Sequence, residues 1–274
     1  MRFSHHPFRL ASYCVASLLA LSALTHAASG TAEIDLVFPQ NDTYTPSPIF
    51  PVAFALQSSE LVGYLQPRLG FSIFPYGNFT ENVADGFYYM TWANFSSADP
   101  YMQYGDALES LNAEGIWTLR WQLSIAHCAA SGDLNVTWNY LHGEVIFTTK
   151  KGAKKPDLAA ATQRESCAND QGFAIGITKT RDSGDSFENG KPCAVLAETT
   201  LTPTPCAVTV DAPAASSISS SLTSRACRIQ ATPTPWCPAP EEDAALGLAT
   251  SNLAVGSAVC LAAAVGGLGF LAMV

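Results

Sequence analysis

Basic residues are scarce in this chain, which has 14 Lys and Arg against 23 Asp and Glu and a formal net charge of −9 at pH 7. Nucleic acids and anionic membrane surfaces are bound through basic patches, so this balance argues against both. The one basic cluster, KKGAKK at 150–155, follows a strand-like run and precedes PDL, a pattern typical of a solvated loop. We therefore expect no nucleic-acid partner.

Signatures of metal binding and catalysis are also missing. No two cysteines have the CxxC spacing typical of zinc sites, and no GxSxG sequence marks a serine-hydrolase nucleophile. Outside the first 27 residues the only histidines are His127 and His142. We expect no metal site and no cofactor.

A glycoside hydrolase stays open as an alternative, because its two catalytic carboxylates are rarely adjacent in sequence. The candidate carboxylates are Glu60, Glu81, Asp85, Glu109, Glu114 and Glu144.

Residues 1–27 have the pattern of a secretory signal peptide. Arg2 and Arg9 precede an apolar run over 10–24, and the small residues of THAAS follow it. The run is shorter than the about 20 residues that a membrane helix needs, which disfavours the alternative of a signal anchor. We predict cleavage after Ala27 and entry into the secretory pathway.

Residues 253–274, LAVGSAVCLAAAVGGLGFLAMV, form an uncharged hydrophobic tail. No Lys or Arg follows it in this sequence, whereas a single-pass receptor normally keeps basic residues on the cytoplasmic side of its span. Small residues, a short spacer and such a tail are typical of a glycosylphosphatidylinositol (GPI) signal, which is replaced by lipid. We predict a GPI anchor, with a transmembrane tail as the alternative. The candidate attachment residues are Asp243, Ala244, Gly247 and Ser251.

Six cysteines lie between the signal peptide and the tail. An even number of cysteines in a secreted chain predicts disulfides, here three, and leaves several connectivities open. A Cys206–Cys227 bridge is favoured among them, because it would close a short local loop around a helix-like segment. The six cysteines are Cys128, Cys167, Cys193, Cys206, Cys227 and Cys237.

Four sequons indicate N-glycosylation. None of them has Pro in the middle, and any sequon that is used must lie on an accessible surface. The predicted glycosylation sites are Asn41, Asn78, Asn94 and Asn135.

Strict alternation of apolar and polar residues predicts strands over 28–150. In EIDLVFPQNDTYTPSPIFPVAFALQ (33–57) two alternating runs flank a Pro-rich loop, and GIWTLRWQLSIAHC (115–128) alternates over its whole length. LGFSIF and GFYYMTW repeat the pattern, and VTWNYLHGEVIFTTK is expected to be a hairpin that turns at 141–143. Many short strands with turns between them predict a mainly β fold, an antiparallel β-sandwich of immunoglobulin-like architecture.

The sequence after residue 150 predicts less regular structure. Residues 151–228 hold most of the cysteines and little alternation, which predicts an irregular, disulfide-pinned extension packed on the 28–150 core. Within it, Ala215, Ile218, Leu222 and Ala226 recur at helical spacing and predict one short helix. Residues 229–252 are rich in Pro and Thr near their start and are expected to form a stalk before the 253–274 tail.

Three segments together, AEIDLVFPQNDTYTPSPIFPVAFALQ, WTLRWQLSIAHC and CAVTVDAPAASSISSSLTSRAC, resemble an uncharacterised domain of unknown function found in secreted fungal proteins. The resemblance covers most of the chain between Ala28 and Cys227. It implies a secreted ectodomain at the cell surface or wall, often with a GPI-type tail, and it carries over no catalytic residue.

The sequence thus predicts a non-enzymatic, N-glycosylated protein on the extracellular face of the plasma membrane or in the cell wall, acting in structure, adhesion or recognition. Its expected partners are cell-wall glycans or surface proteins, and its membrane contact a lipid anchor or a carboxyl-terminal helix. The alternatives are a carbohydrate-active hydrolase and a soluble secreted effector. A row of exposed aromatic side chains would favour glycan binding, because Trp and Tyr rings stack on sugars. The candidates are Trp92, Trp117, Trp121 and Trp138 together with the run GFYYMTW, although strand spacing is typical of core residues for most of them.

Overall fold

The computed structural model describes residues 28–163, 171–187, 189–229 and 234–237. The predicted signal peptide, hydrophobic tail and GPI attachment residues, and Cys167, lie outside these ranges. The described residues form ten strands and three α-helices: β1 (Gly30–Phe38), β2 (Thr43–Tyr44), β3 (Ile49–Gln57), α1 (Ser59–Val62), β4 (Arg68–Pro75), β5 (Ala84–Tyr89), β6 (Tyr101–Leu108), β7 (Gly115–Cys128), β8 (Val136–Thr149), α2 (Leu158–Ala161), β9 (Gly172–Arg181), β10 (Cys193–Leu196) and α3 (Ala212–Ile229).

The strands form two five-stranded sheets. The first sheet has the order β10-β9-β1-β3-β6 and the second has the order β2-β8-β7-β4-β5. Pairing is antiparallel except where the short β2 runs parallel to the end of β8. The predicted mainly β fold is confirmed, whereas the immunoglobulin-like arrangement stays a prediction.

One core lies between the two sheets, and aromatic rings from both sheets meet in it. The Phe50 ring of β3 stacks on the Phe147 ring of β8 at a centroid distance of 5.3 Å, and Trp121 of β7 lies 5.5 Å from Phe54 of β3. Tyr44, from the loop between β1 and β3, also contacts Phe50 at 5.7 Å. The predicted Pro-rich loop of the 33–57 segment thus leaves the first sheet, pairs with the second and returns.

Alternation on β7 is as predicted from GIWTLRWQLSIAHC. The five apolar residues of one side are buried, whereas Arg120 on the other side is exposed. Because successive strand residues point to opposite faces, this pattern assigns one face of the strand to the core. The buried residues are Trp117, Leu119, Trp121, Leu123 and Ile125.

The predicted hairpin over 136–150 is wrong. Residues 136–149 form the single strand β8, which pairs with β7 from Cys128↔Val136 to Gly115↔Thr149. Gly143 is needed for space and not for a turn, because a Cβ atom there would lie 2.2 Å from Nε1 of the buried Trp121. Glycine within a strand often marks such a close approach.

Gly143→Ala is therefore expected to lower the free energy of unfolding by about 1–3 kcal/mol, the usual cost of overpacking a core. Trp121 cannot move away freely, since it packs against Phe173 as well as Phe54. Urea denaturation measures the loss. Gly70→Ala is the matched control, because its Cβ would meet only the ring of the half-exposed Phe87 at 3.0 Å. Equal effects of the two substitutions would contradict this packing account.

The prediction of an irregular extension over 151–228 also needs correction. Residues 172–181 form β9, which lies between β1 and β10 in the first sheet and pairs with β1 along Gly30–Asp35. Without β9, the hydrogen-bonding edge of β1 would be open, and exposed edges are a liability that proteins cover. The strand pattern in the sequence is short, because only Phe173, Ile175 and Ile177 alternate within loop-like sequence.

A helix is confirmed at the predicted position as α3, which buries Ile218, Leu222 and Ala226, but with 18 residues it is longer than the short helix expected. It lies on the outer side of the first sheet, where Arg225 Nη2 donates to Asp106 Oδ2 on β6 at 2.6 Å. Among the described residues, no helix has the length and apolar character required to cross a membrane.

Two disulfides are seen between described cysteines. Cys128 at the end of β7 bonds to Cys193 at the start of β10, and Cys227 near the end of α3 bonds to Cys237. Cys206 is disulfide-bonded as well. The predicted Cys206–Cys227 pair is wrong, because Cys227 pairs with the cysteine ten positions further on, which closes an even shorter loop.

Candidate functional site

The outer side of the second sheet carries three rows of side chains that run across its strands. The rows follow from the registers of β5 with β4, β4 with β7 and β7 with β8. The Arg68 row consists of Tyr89, Arg68, Ser124 and Tyr140; the central row of Phe87, Gly70, Gln122 and His142; and the Arg120 row of Asp85, Ser72, Arg120 and Glu144. We call these three rows the aromatic face.

Strand alternation turns these residues outward. On β4 the odd-numbered Leu69, Phe71 and Ile73 are buried in the core, so the even-numbered positions form the opposite surface. Three aromatic side chains of the face are more than half exposed: Phe87 by 53%, Tyr89 by 72% and Tyr140 by 59%. Large rings clustered on one exposed surface typically mark a binding site.

Stacking on aromatic rings holds the Arg68 guanidinium in place. Its central carbon lies 5.4 Å from the ring centroid of Tyr89 and 4.1 Å from that of Trp138. The Tyr89 ring in turn lies 4.8 Å from the ring of Phe87. A guanidinium between two rings is a favourable cation–π arrangement and orders the side chains around it.

Arg120 is fixed in a similar way on the other side of the central row. Its Nε donates to Glu144 Oε2 at 2.7 Å, and its guanidinium lies 3.6 Å from the centroid of Phe79. Phe79 belongs to the loop between β4 and β5 and contacts Phe74 at 5.7 Å. The loop therefore folds back onto the sheet and borders the face.

Beside Arg120 lies an open depression of about 480 Å³, which includes the central row and is not lined by Arg68. Gly70 forms part of its floor, and the Phe87 ring leans over this position, since a Cβ on Gly70 would lie 3.0 Å from Phe87 Cδ2. The depression combines an exposed ring with hydrogen-bonding groups, a composition typical of small-molecule sites. Its polar lining comprises Ser72, Asn82, Asp85, Arg120, Gln122 and His142.

Asp85 and Glu144, two of the candidate catalytic carboxylates, both lie in the Arg120 row but are far apart. Three strand spacings of about 4.8 Å separate their backbones by about 14 Å, whereas the two carboxyl groups of glycosidases are about 5–9.5 Å apart. Glu144 is also paired with Arg120. This arrangement suits binding better than general acid and base catalysis.

The other candidate carboxylates serve local contacts. Glu81 accepts a hydrogen bond from Asn78, Glu109 from the indole of Trp236, and Glu114 from the backbone of Lys151. Glu60 lies in the first turn of α1. The structure does not bring these four side chains to the aromatic face.

The four predicted tryptophans divide between the core and the surface. Trp117 and Trp121 are buried, Trp138 stacks on Arg68, and Trp92 is 73% exposed. Of the most exposed rings of the aromatic face, Phe87 and Tyr89 belong to the run GFYYMTW that the sequence offered, whereas Tyr140 was not singled out. Their alternation within GFYYMTW and VTWNYLHGE carried the signal, but choosing the outward side required the strand registers.

All four predicted glycosylation sites, Asn41, Asn78, Asn94 and Asn135, are exposed. Attachment of glycans there stays a prediction. Asn78 lies in the loop between β4 and β5 and next to Phe79, so the aromatic face has a sequon at its border.

A buried acidic cluster lies on the outer side of the first sheet. Glu33 accepts hydrogen bonds from the backbone N–H and the hydroxyl of Thr204, and Asp35 Oδ2 accepts one from Gln57 Nε2 at 2.7 Å. Burial raises the pKa of Asp35 from 3.8 to about 8, against the lowering effect of Gln57 and with a further rise from the neighbouring Glu33. The cluster is closed to solvent, so we treat it as structural.

A second and larger depression, of about 610 Å³, lies between α3 and the loop before β3. Several proline and alanine side chains line it, and Trp236 borders it next to the Cys227–Cys237 bridge. Its lining also holds polar side chains, namely Thr45, Ser47, Lys155, Asp157, Ser216, Ser219 and Thr223, but Trp236 is the one aromatic residue among its described lining residues, in contrast to the aromatic face. Within the described ranges, no group of three or more His, Cys, Asp or Glu side chains could hold a metal ion.

Comparison with known proteins identifies a family. The profile of a family described as a domain of unknown function (DUF7136) matches residues 27–237. No curated protein and no solved structure matches the chain. The expected resemblance to a domain of unknown function is thereby confirmed.

Proposed function

We propose that this chain, which belongs to the DUF7136 family, is a glycan-recognition protein of the cell surface or cell wall. The aromatic face is the observation that carries the proposal. Sugar rings present apolar C–H faces that stack on aromatic side chains and hydroxyl groups that exchange hydrogen bonds with amides, imidazoles and carboxylates. Phe87, Tyr89 and Tyr140 supply the rings, and Gln122 and His142 supply polar groups between them.

The charges of the face favour a neutral glycan. Its two arginines are accompanied by two carboxylates, Asp85 and Glu144, and the whole chain is acidic. An anionic polysaccharide would be repelled by the net charge, whereas hydroxyl groups of a neutral sugar can bind to the same donors and acceptors.

Secretion, N-glycosylation and a GPI anchor are parts of the same proposal. The signal-peptide pattern of residues 1–27 and the hydrophobic tail over 253–274 support them, as do the disulfides and the exposed positions of the four sequons. The setting at a fungal surface rests on the resemblance of the sequence segments.

The position of the last described residues supports an aromatic face that points away from the membrane anchor. Cys237, the last described residue, is bonded to α3 through Cys227, and α3 packs on the outer side of the first sheet. The aromatic face is on the outer side of the second sheet. In an anchored protein with an immunoglobulin-like two-sheet body, the face would therefore lie away from the point where the chain continues toward its anchor.

The proposal is tested with the full chain on an array of neutral and acidic polysaccharide fragments. We expect binding to neutral glycans. The Phe87→Ala/Tyr89→Ala/Tyr140→Ala variant is expected to lose about hundredfold in affinity, since each exposed ring contributes about 1 kcal/mol of stacking. Isothermal titration with the best array ligand measures the change.

Ile229→Ala is the matched control, because it removes an exposed hydrophobic side chain on α3, away from the aromatic face. It is expected to bind like the wild type. Absence of binding to every glycan, or equal binding by the triple variant, would refute the proposed function. Cleavage of the bound glycan would instead support the hydrolase alternative.

A further inference from the structure

The geometry of the aromatic face favours one direction for a bound glycan. Resting on the proposed function, we infer that the ligand is a linear sugar chain that lies across the strands, along the central row from Phe87 over Gly70 and Gln122 to His142. The inference defines a class of ligand, namely unbranched segments of a neutral polysaccharide, and it assigns a different role to each end of the row.

Ridges on both sides define this direction. On one side the Arg68 guanidinium lies between Tyr89 and Trp138. On the other side Arg120 is held by Glu144 and Phe79. A chain along β4 would meet the Arg68 side chain and a chain along β7 would meet Arg120, whereas a chain along the central row passes between the two arginines.

The central row itself is low and open at both ends. Gly70 has no side chain, so the middle of the row forms part of the floor of the 480 Å³ depression. β5 is the edge strand of the sheet on the Phe87 side. On the other side, β2 pairs only with Thr148 and Thr149, and no described strand continues the sheet beyond His142. A polysaccharide can therefore extend past both edges.

The length of the row sets the number of sugar units in contact with the protein. Three strand spacings of about 4.8 Å make the row about 14 Å long, which is the length of about three sugar rings. Phe87 would stack on the ring at one end, Gly70 leaves room for the middle ring, and Gln122 and His142 would bind hydroxyl groups at the other end. Bulky branches would collide with the two arginine ridges.

The test is a chain-length series measured by isothermal titration with the full chain. The probes are cellulose-, laminarin- and chitin-derived oligosaccharides from the monosaccharide to the hexasaccharide. We expect affinity to rise with each unit up to the tri- or tetrasaccharide and then to level off. Phe87→Ala and His142→Ala, at opposite ends of the row, should each weaken binding of the tetrasaccharide by about tenfold.

Gly70→Val tests the floor directly. A branched side chain is well tolerated at a strand position, but it would fill the depression and push aside the Phe87 ring, which would lie 3.0 Å from the new Cβ. Binding of the tetrasaccharide should therefore fall at least about tenfold while thermal stability is kept. Thr148→Val is the control, since it adds the same side chain on the same outer side but two rows beyond Arg120. It should bind like the wild type.

The outcomes separate this inference from the proposed function. Binding that is equally tight for the monosaccharide and the tetrasaccharide, or that depends on Phe87 but not on His142, would overturn the cross-strand chain and leave glycan recognition standing. Failure to bind a sugar of any length would overturn the proposed function and the inference with it.

Discussion

Asp35→Asn is expected to stabilise the protein increasingly as the pH rises, by about 4 kcal/mol more at pH 9 than at pH 5. Asp35 is fully buried on β1. Because burial raises its pKa from 3.8 to about 8, the native state keeps the carboxyl protonated where the unfolded chain would release the proton. The stability that this group contributes is complete below pH 3.8 and is lost as the pH rises toward 8.

An asparagine reproduces the neutral form at every pH. Its amide oxygen can accept the hydrogen bond that Gln57 donates to Asp35 Oδ2. Its amide nitrogen would be a donor, which suits the neighbouring Glu33, since a hydrogen bond between the Asp35 and Glu33 side chains contributes to the raised pKa of Asp35. The wild type should therefore lose about 1.4 kcal/mol per pH unit between pH 5 and 8, and the variant should not show this loss.

Urea denaturation of both proteins at pH 5, 7 and 9 measures the difference. Asp133→Asn is the control, because it removes a carboxylate from an exposed turn and should leave the pH dependence of the wild type unchanged. Parallel curves for the wild type and Asp35→Asn would show that Asp35 is ionised in the native protein, contrary to the burial described above.

Joint replacement of Cys128 and Cys193 by alanine is expected to lower the free energy of unfolding by about 4 kcal/mol. The bridge connects β7 of the second sheet with β10 of the first across a sequence separation of 65 residues. The entropic cost of closing a loop grows with the length of the loop. Loss of this bridge therefore raises the conformational entropy of the unfolded chain and lowers the stability of the native protein. Replacing both cysteines avoids an unpaired thiol.

The bridge also supports the aromatic face. Cys128, Cys193 and Phe187 form a small buried cluster against which Trp138 packs, and Trp138 stacks on Arg68. Glycan affinity is therefore expected to fall together with stability in this variant. In contrast, alanine at Cys227 and Cys237 opens a separation of only 10 residues, should cost about 3 kcal/mol and should leave the face intact. A smaller loss for Cys128 and Cys193 than for this control would contradict the account.

The local spacing of apolar residues predicted a strand or a helix correctly where one face of that element packs against the core. The alternation of 115–128 located β7 at its observed bounds, and the helical spacing of Ile218, Leu222 and Ala226 located α3. Long-range packing explains two of the errors. In the sequence Gly143 is typical of a turn, whereas in the structure it leaves space for the ring of Trp121. β9 has only a weak strand pattern, and it forms by pairing with β1, whose edge would otherwise be open.

The candidate site required registers that no local pattern contains. Phe87, Gly70, Gln122 and His142 belong to four strands and become neighbours only through pairing. The sequence could indicate that aromatic rings and polar groups were available on alternating strands. It could not indicate that a glycine would sit between them, flanked by two arginines held against aromatic rings.

Chemical-shift mapping by NMR tests the central claim most directly, because it locates the bound glycan on the protein. The isotope-labelled full chain is titrated with the neutral oligosaccharide that binds best on the array. We predict that the largest shifts fall on the outward positions of β4, β5, β7 and β8, and above all on Gly70, Phe87, Gln122 and His142. Shifts centred on the depression beside α3, or none at saturating ligand, would contradict glycan recognition by the aromatic face.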